Sequence, residues 1–177
     1  MRPDSQPRQV DTTWIGSGDA ATYTTLAVMR QMLDVAAQSY TVRARAEVIT
    51  QGCASYDDGC VVHRLYNFVH RRVRYRADPQ GIELVKTPEA SLREIDAHGT
   101  TGGDCDDSAV LLGALLQALG YPVRFVALSE RAGSLLHHVI LEVAVGGSWI
   151  TLDPIVPGGA WVGGIGGRLN AARRVTA

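Results

Sequence analysis

The chain has 177 residues, with 17 Lys+Arg against 18 Asp+Glu and a formal net charge of −1. That length suits one domain, or one domain with arms, and the near-zero charge excludes a non-specific nucleic-acid binder, which needs excess basic side chains to displace counterions. A composition of 46% hydrophobic and 20% charged residues excludes collagen-like, disordered and disulfide-scaffold classes, and no apolar run reaches the ~18–20 residues of a membrane span.

Residues 1–18 are polar and carry Pro3, Pro7, Gly16 and Gly18. They read as an N-terminal arm with Trp14-Ile15 as a docking point. The first seven residues lack the apolar core of a signal peptide, so a cytoplasmic setting is expected. From Asp19, Leu26, Met29, Leu33, Ala36/Ala37 and Tyr40 recur at three- and four-residue steps and predict a helix. Residues 41–50 fit either period; the shortage of bulky strand formers favours helix. Residues 57–73 predict a clearer helix, with Asp57/Asp58 at its positive end and Arg71, Arg72 and Arg74 at its negative end. Asp78-Pro79-Gln80-Gly81 is a turn signal. Pro88–Leu92 reads as a short helical turn entered through proline.

Residues 105–119 are apolar almost all round and predict a core helix, which Gly120-Tyr121-Pro122 ends. Strands follow at 123–128 and 138–145, then a Gly146-Gly147 hairpin turn into 148–153. Pro154 stops that strand. From Pro157 onward six glycines gather, and the tail reads as a Gly-rich loop or arm carrying Trp161 and tipped with arginines.

The chemistry concentrates before the core helix. Thr100-Thr101-Gly102-Gly103-Asp104 leads straight into Cys105, which puts the thiol on a helix's first turn. Backbone N–H groups and the dipole there are expected to lower its pKa. The glycines leave space for a substrate backbone. Asp104, Asp106 and Asp107 read as helix-start charges rather than a metal site, and they oppose the thiolate, so an imidazolium partner matters more. His138 is the candidate base, and His137 reads as a surface strand residue. Asp153 lies near the same end of the hairpin as His138 and can accept the imidazole's second N–H.

With these residues in view, 60–154 resembles a bacterial or phage transglutaminase-like domain of the papain-like cysteine-enzyme superfamily. The matching stretches are Asp78–Glu83, Gly103–Ser108 with its Leu-rich helix, Gly120–Val126, His138–Val143 and Trp149–Pro154, in the order Cys, His, Asp. The resemblance implies an α+β fold: a nucleophile helix packed on an antiparallel sheet, with a helical N-terminal part. It selects His138 over His137. It also implies a catalytic set of Cys105, His138 and Asp153, with no cofactor and no metal, acting on a carboxamide of a peptide or protein through a thioester. No acceptor-amine site is evident, so hydrolysis is favoured over cross-linking. The family's second oxyanion donor is usually an upstream Trp or Gln; here Trp14, Gln51 and Gln80 are the candidates.

The expected organisation is an arm over 1–18, the domain over 19–156 and a Gly-rich arm over 157–177. A second reading makes the domain a structural component of an assembly, such as a phage particle, with both arms contacting partner proteins and a virion-associated location. Cys53 and Cys60 read as simple thiols, ahead of a disulfide between them or a C-x6-C-x2-H zinc site with His63. His63 and His70 read as solvated, Arg71, Arg72, Arg74 and Arg76 as a solvated edge, and Glu83 as a structural residue holding the turn before the nucleophile loop.

Overall fold

The computed structural model describes residues 14–129, 134–155 and 173–176, the last four as backbone. Of the predicted arms over 1–18 and 157–177, residues 1–13, 157–172 and 177 lie outside the described residues. Among the described residues four helices come before the Cys105 helix: α1 (Gly18–Ala36), α2 (Tyr40–Thr50), α3 (Asp58–Arg72) and α4 (Pro88–His98). In α1 the stripe Leu26, Met29, Leu33 and Ala36 is buried, but Tyr40 is 85% exposed and begins the next helix. The ambiguous 41–50 stretch is helical, burying Val42 and Ala46. The Asp57 carboxylate caps α3 by accepting the Cys60 N–H at 2.8 Å. The turn expected at 88–92 is a full helix. Thr87 caps it, Pro88 opens it, and Gly99 closes it at a φ of 79°, a left-handed position that suits glycine.

Two short strands fell below the reach of periodicity. β1 (Val73–Tyr75) pairs in parallel with β2 (Thr101–Gly103), and β2 delivers the chain to α5 (Cys105–Ala118). Helices α1, α2 and α3 pack around α5, which explains its all-round apolar surface. Gly113 sits at the tightest crossing: a Cβ there would lie 3.0 Å from Leu33 and 3.2 Å from Leu141.

On its other side α5 packs on a four-stranded antiparallel sheet, order β5-β4-β3-β6, built from β3 (Val123–Ser129), β4 (His138–Val145), β5 (Ser148–Leu152) and β6 (Arg173–Thr176). Phe125, Leu141, Val143 and Leu152 join the α5 core. Val126, Leu128 and Ile140 form a separate buried cluster, as strand alternation requires. β6 corrects the reading of the tail as loop or arm throughout, since 173–176 pair with Ser129–Val126 along the edge of β3. Among the described residues no helix is long and apolar enough to cross a membrane.

Cys53 and Cys60 form a disulfide across the α2–α3 loop, with Cα atoms 5.7 Å apart. This overturns the reading of two simple thiols and removes both sulfurs from any zinc site. The Cys60 end belongs to the first turn of α3, and the loop closes back because Arg64 donates to the Gln51 carbonyl at 2.6 Å. Closing so short a loop stabilises by about 2–3 kcal/mol in the chain-entropy account. Reduction is therefore expected to lower the melting temperature by roughly 5–10 °C, read by calorimetry with and without a phosphine reductant. Equal melting points would show that the bridge adds nothing to the folded state.

Candidate active site

The loop leading into Cys105 is held from three directions. The Arg76 N–H donates to the Gly103 carbonyl at 2.9 Å, extending the β1–β2 pairing. The Lys86 ammonium reaches Glu94 at 2.8 Å, the Thr101 hydroxyl at 3.0 Å and the Gly102 carbonyl at 2.8 Å. The Lys86 backbone N–H donates to Asp107 at 2.6 Å. At the start of α5 the Asp104 carboxylate accepts the Asp106 N–H at 3.1 Å as a cap. Gly103 is required by space: a Cβ there would lie 2.6 Å from both the Cβ and a carboxylate oxygen of Asp107. Gly103→Ala must push Asp107 off the Lys86 N–H. It is expected to cost about 1–3 kcal/mol, read as a lower denaturation midpoint; an unchanged midpoint would show that Asp107 yields freely.

His138 begins β4 and Asp153 directly follows β5. The hairpin register pairs Leu141 with Leu152, so the two side chains emerge at the same end. His138 Nε2 lies 2.6 Å from Asp153 Oδ2. An ionised carboxylate only accepts, so Nε2 carries the proton and the neutral ring presents Nδ1 as its acceptor. The second Asp153 oxygen accepts the Ile155 N–H at 3.2 Å. His137 is exposed, with Nδ1 at 3.1 Å from the Leu135 carbonyl.

The Val139 backbone N–H, next in chain to His138, faces the Cys105 sulfur and favours its charged form, so the start of α5 and the start of β4 meet. The Cys105 S–H donates to the Asp106 carboxyl at 3.4 Å. The expected lowering of the thiol pKa is corrected: burial foremost, then the Asp106 charge, pushes it up, and the Val139 N–H opposes this only in part. A helix start favours thiolate only while solvent or a cation also supports the charge.

Asp106, 4% exposed, is pushed up to about 9 by burial and by a carboxyl–carboxyl hydrogen bond with Glu83. Two carboxyls in contact cannot both ionise cheaply, so the buried Asp106 is the one that keeps its proton. Glu83 thus ties the 78–84 turn to α5. Asp107 is raised to about 6 by burial, against the pull of the Lys86 N–H. Asp104, Cys105 and Asp106 offer ligand atoms within 4.8 Å of one another and are the described residues that could hold a cation; such acidic groups also gather at helix N-termini for the dipole alone.

Two residues outside the predicted set touch the Asp153 segment. Tyr66 donates its hydroxyl proton to the Asp153 carbonyl at 3.0 Å. His70 Nδ1 donates to the Pro154 carbonyl at 2.7 Å, which corrects the reading of His70 as solvated. Their only sequence signal was a shared i, i+4 face of α3. Of the candidate oxyanion donors, Trp14 is 89% exposed and Gln80 lies in an exposed turn.

Residues 43–154 match the sequence profile described as the Transglutaminase-like superfamily. The chain belongs to that superfamily. Its fold is similar to that of a presumed protease from Parabacteroides distasonis, with TM-score 0.57 and 17% identity over 73% of this chain and 26% of that one. It is also similar to a presumed cysteine protease from Cytophaga hutchinsonii, with TM-score 0.51 and 21% identity over 85% of this chain and 53% of that one. LapG of Legionella pneumophila aligns with TM-score 0.48 and 19% identity over 72% of this chain and 71% of that one. The chain thus spans about a quarter and about half of the first two structures it matches. No curated protein matches the sequence. In this superfamily member the α+β core, with its cysteine at the start of the central helix and its antiparallel sheet, is a cysteine-enzyme fold.

Proposed function

We propose that the protein is a cysteine-dependent acyl-transfer enzyme that hydrolyses a peptide or amide bond, with Cys105 as nucleophile, His138 as base and acid, and Asp153 as the group that orients His138. The observation that carries this reading is the 2.6 Å contact between His138 Nε2 and Asp153 beside a half-buried thiol whose sulfur meets the Val139 N–H. His138 Nδ1 takes the S–H proton as sulfur bonds to the carbonyl carbon. The imidazolium returns that proton to the departing amine as the C–N bond breaks, leaving a thioester. Water then adds to the thioester, giving its proton to Nδ1, and the C–S bond breaks as that proton returns to sulfur. The Cys105 N–H, at the first helical position, is outside the helix's own ladder and supplies one oxyanion donor.

The Cys53–Cys60 bridge favours an oxidising setting for this activity, since reducing cytosol keeps thiols free. The test is hydrolysis of a denatured-protein or peptide-library substrate, followed by mass spectrometry. The intact chain should cleave and Cys105→Ala should not. Addition of a small primary amine should leave most product as free acid. Cleavage that survives Cys105→Ala would overturn the proposal, and a product dominated by the amine adduct would convert hydrolysis into transamidation.

A further inference from the structure

Asp153 must hold its carboxylate on His138, yet it stands where the sheet stops supporting the chain. The last β4–β5 pair is Leu141 with Leu152, and Pro154 has no N–H to give to a ladder. What replaces the ladder comes from α3. Tyr66 and His70 lie one turn apart, with rings stacked at 10° and centroids 5.8 Å apart. Each spends its polar atom on this segment: the Tyr66 hydroxyl on the Asp153 carbonyl at 3.0 Å and His70 Nδ1 on the Pro154 carbonyl at 2.7 Å.

We infer that Tyr66 and His70 form a positioning clamp that aims the Asp153 carboxylate at His138, an inference that rests on the Cys105–His138–Asp153 reading. Tyr66 acts on the backbone of Asp153 and His70 on that of Pro154 beside it; both act through the position of Asp153. Three features suit them to it. Tyr66 is 1% exposed, so its ring cannot swing without opening the core. Its hydroxyl is pushed up to about 12 by burial and by the Asp153 charge, so it stays a donor throughout the working pH range. The carbonyl of Pro154 offers only lone pairs, so it holds the His70 proton on Nδ1 and fixes that ring's tautomer. The α3 helix is itself anchored, by the Asp57 cap, by the Cys53–Cys60 bridge and by Tyr121, whose hydroxyl donates to Asp58 at 2.7 Å.

The measurement is the second-order rate of iodoacetamide with Cys105 from pH 5.5 to 9, alongside the melting temperature. In that reaction sulfur bonds to the methylene carbon and iodide leaves. Misplacing an orienting group by about 1 Å can cost on the order of 100-fold. Tyr66→Phe and His70→Leu are expected to lower the neutral-pH rate by roughly 5- to 50-fold and to move the pH profile toward that of Asp153→Asn. His70→Asn, whose amide N–H can stand where Nδ1 stands, should stay within about twofold of the parent. Tyr66→Phe keeps the ring and so reports even if His70→Leu melts early. A parental profile in Tyr66→Phe and His70→Leu, with an altered one in Asp153→Asn, overturns the clamp and leaves the triad standing. A parental profile in Asp153→Asn as well removes the triad and the clamp together.

Discussion

Replacing His138 by alanine is expected to slow alkylation of Cys105 at pH 7 by on the order of 100- to 1000-fold. The reason lies in the surroundings of the thiol. Burial foremost pushes its pKa well above the ordinary value, so without help Cys105 stays protonated at neutral pH. Only the thiolate attacks, and the helix start and the Val139 N–H do not offset the loss of solvent. In the proposed mechanism the imidazole, with its Nε2–H committed to Asp153 at 2.6 Å, takes the proton and then balances the charge. The labelling is clean because Cys53 and Cys60 are bonded to each other and Cys105 is the free thiol, so one adduct per chain is counted by mass. A His138→Ala variant that reacts within about threefold of the parent would sink the base assignment, since general-base contributions are typically 100-fold or more.

Asp106→Asn is expected to stabilise the fold increasingly as pH rises. In the unfolded chain an aspartate loses its proton near 4, whereas in the folded protein the Asp106 carboxyl holds it until about 9. Between those values the folded state binds more protons than the unfolded one. The contribution of Asp106 to stability is therefore fullest below pH 4, declines through the window from 4 to 9, and is lost above it. Asparagine cannot ionise and keeps a donor toward Glu83. The variant and the parent should melt together near pH 4, and by pH 8 the variant should lead by up to about 5 kcal/mol, or roughly 10–20 °C. A melting difference that stays flat from pH 4 to 8, or that favours the parent at pH 8, would show that the folded Asp106 carboxyl does not hold its proton through that range.

The sequence carried the elements whose signals are local. The α5 helix was legible because Val110, Leu111, Ala114, Leu115 and Leu116 are all buried, and an element surrounded on all sides must be apolar on all sides. The hairpin was legible because Gly146 and Gly147 take positive φ values of 57° and 79°, and counting outward from them puts Asp153 near His138. α4 extended past its predicted turn because Leu92 and Ile95 bury a stripe too short to register as a period. β1 and β2 are three residues each, below any alternation that can be read.

Other features existed only once the chain had closed. Cys53 and Cys60 are seven residues apart, a spacing equally compatible with two free thiols; the α2–α3 corner decided. Tyr66 and His70 reach a segment more than eighty residues away, and nothing in α3 names that destination. β6 needed the open edge of β3, which the tail's own composition does not describe. The thiol of Cys105 makes the division plainest. Its place on the first turn of a helix was determined by Gly102-Gly103-Asp104 ahead of an apolar run, and that local geometry argues for a lowered pKa. Packing against the core removed the water that would have supported the charge, and the neighbour it brought is a carboxyl, Asp106, rather than a cation. Periodicity, caps and turns act over a few residues and are written in the sequence; desolvation and through-space charge depend on which distant atoms become neighbours, so tertiary structure decides them.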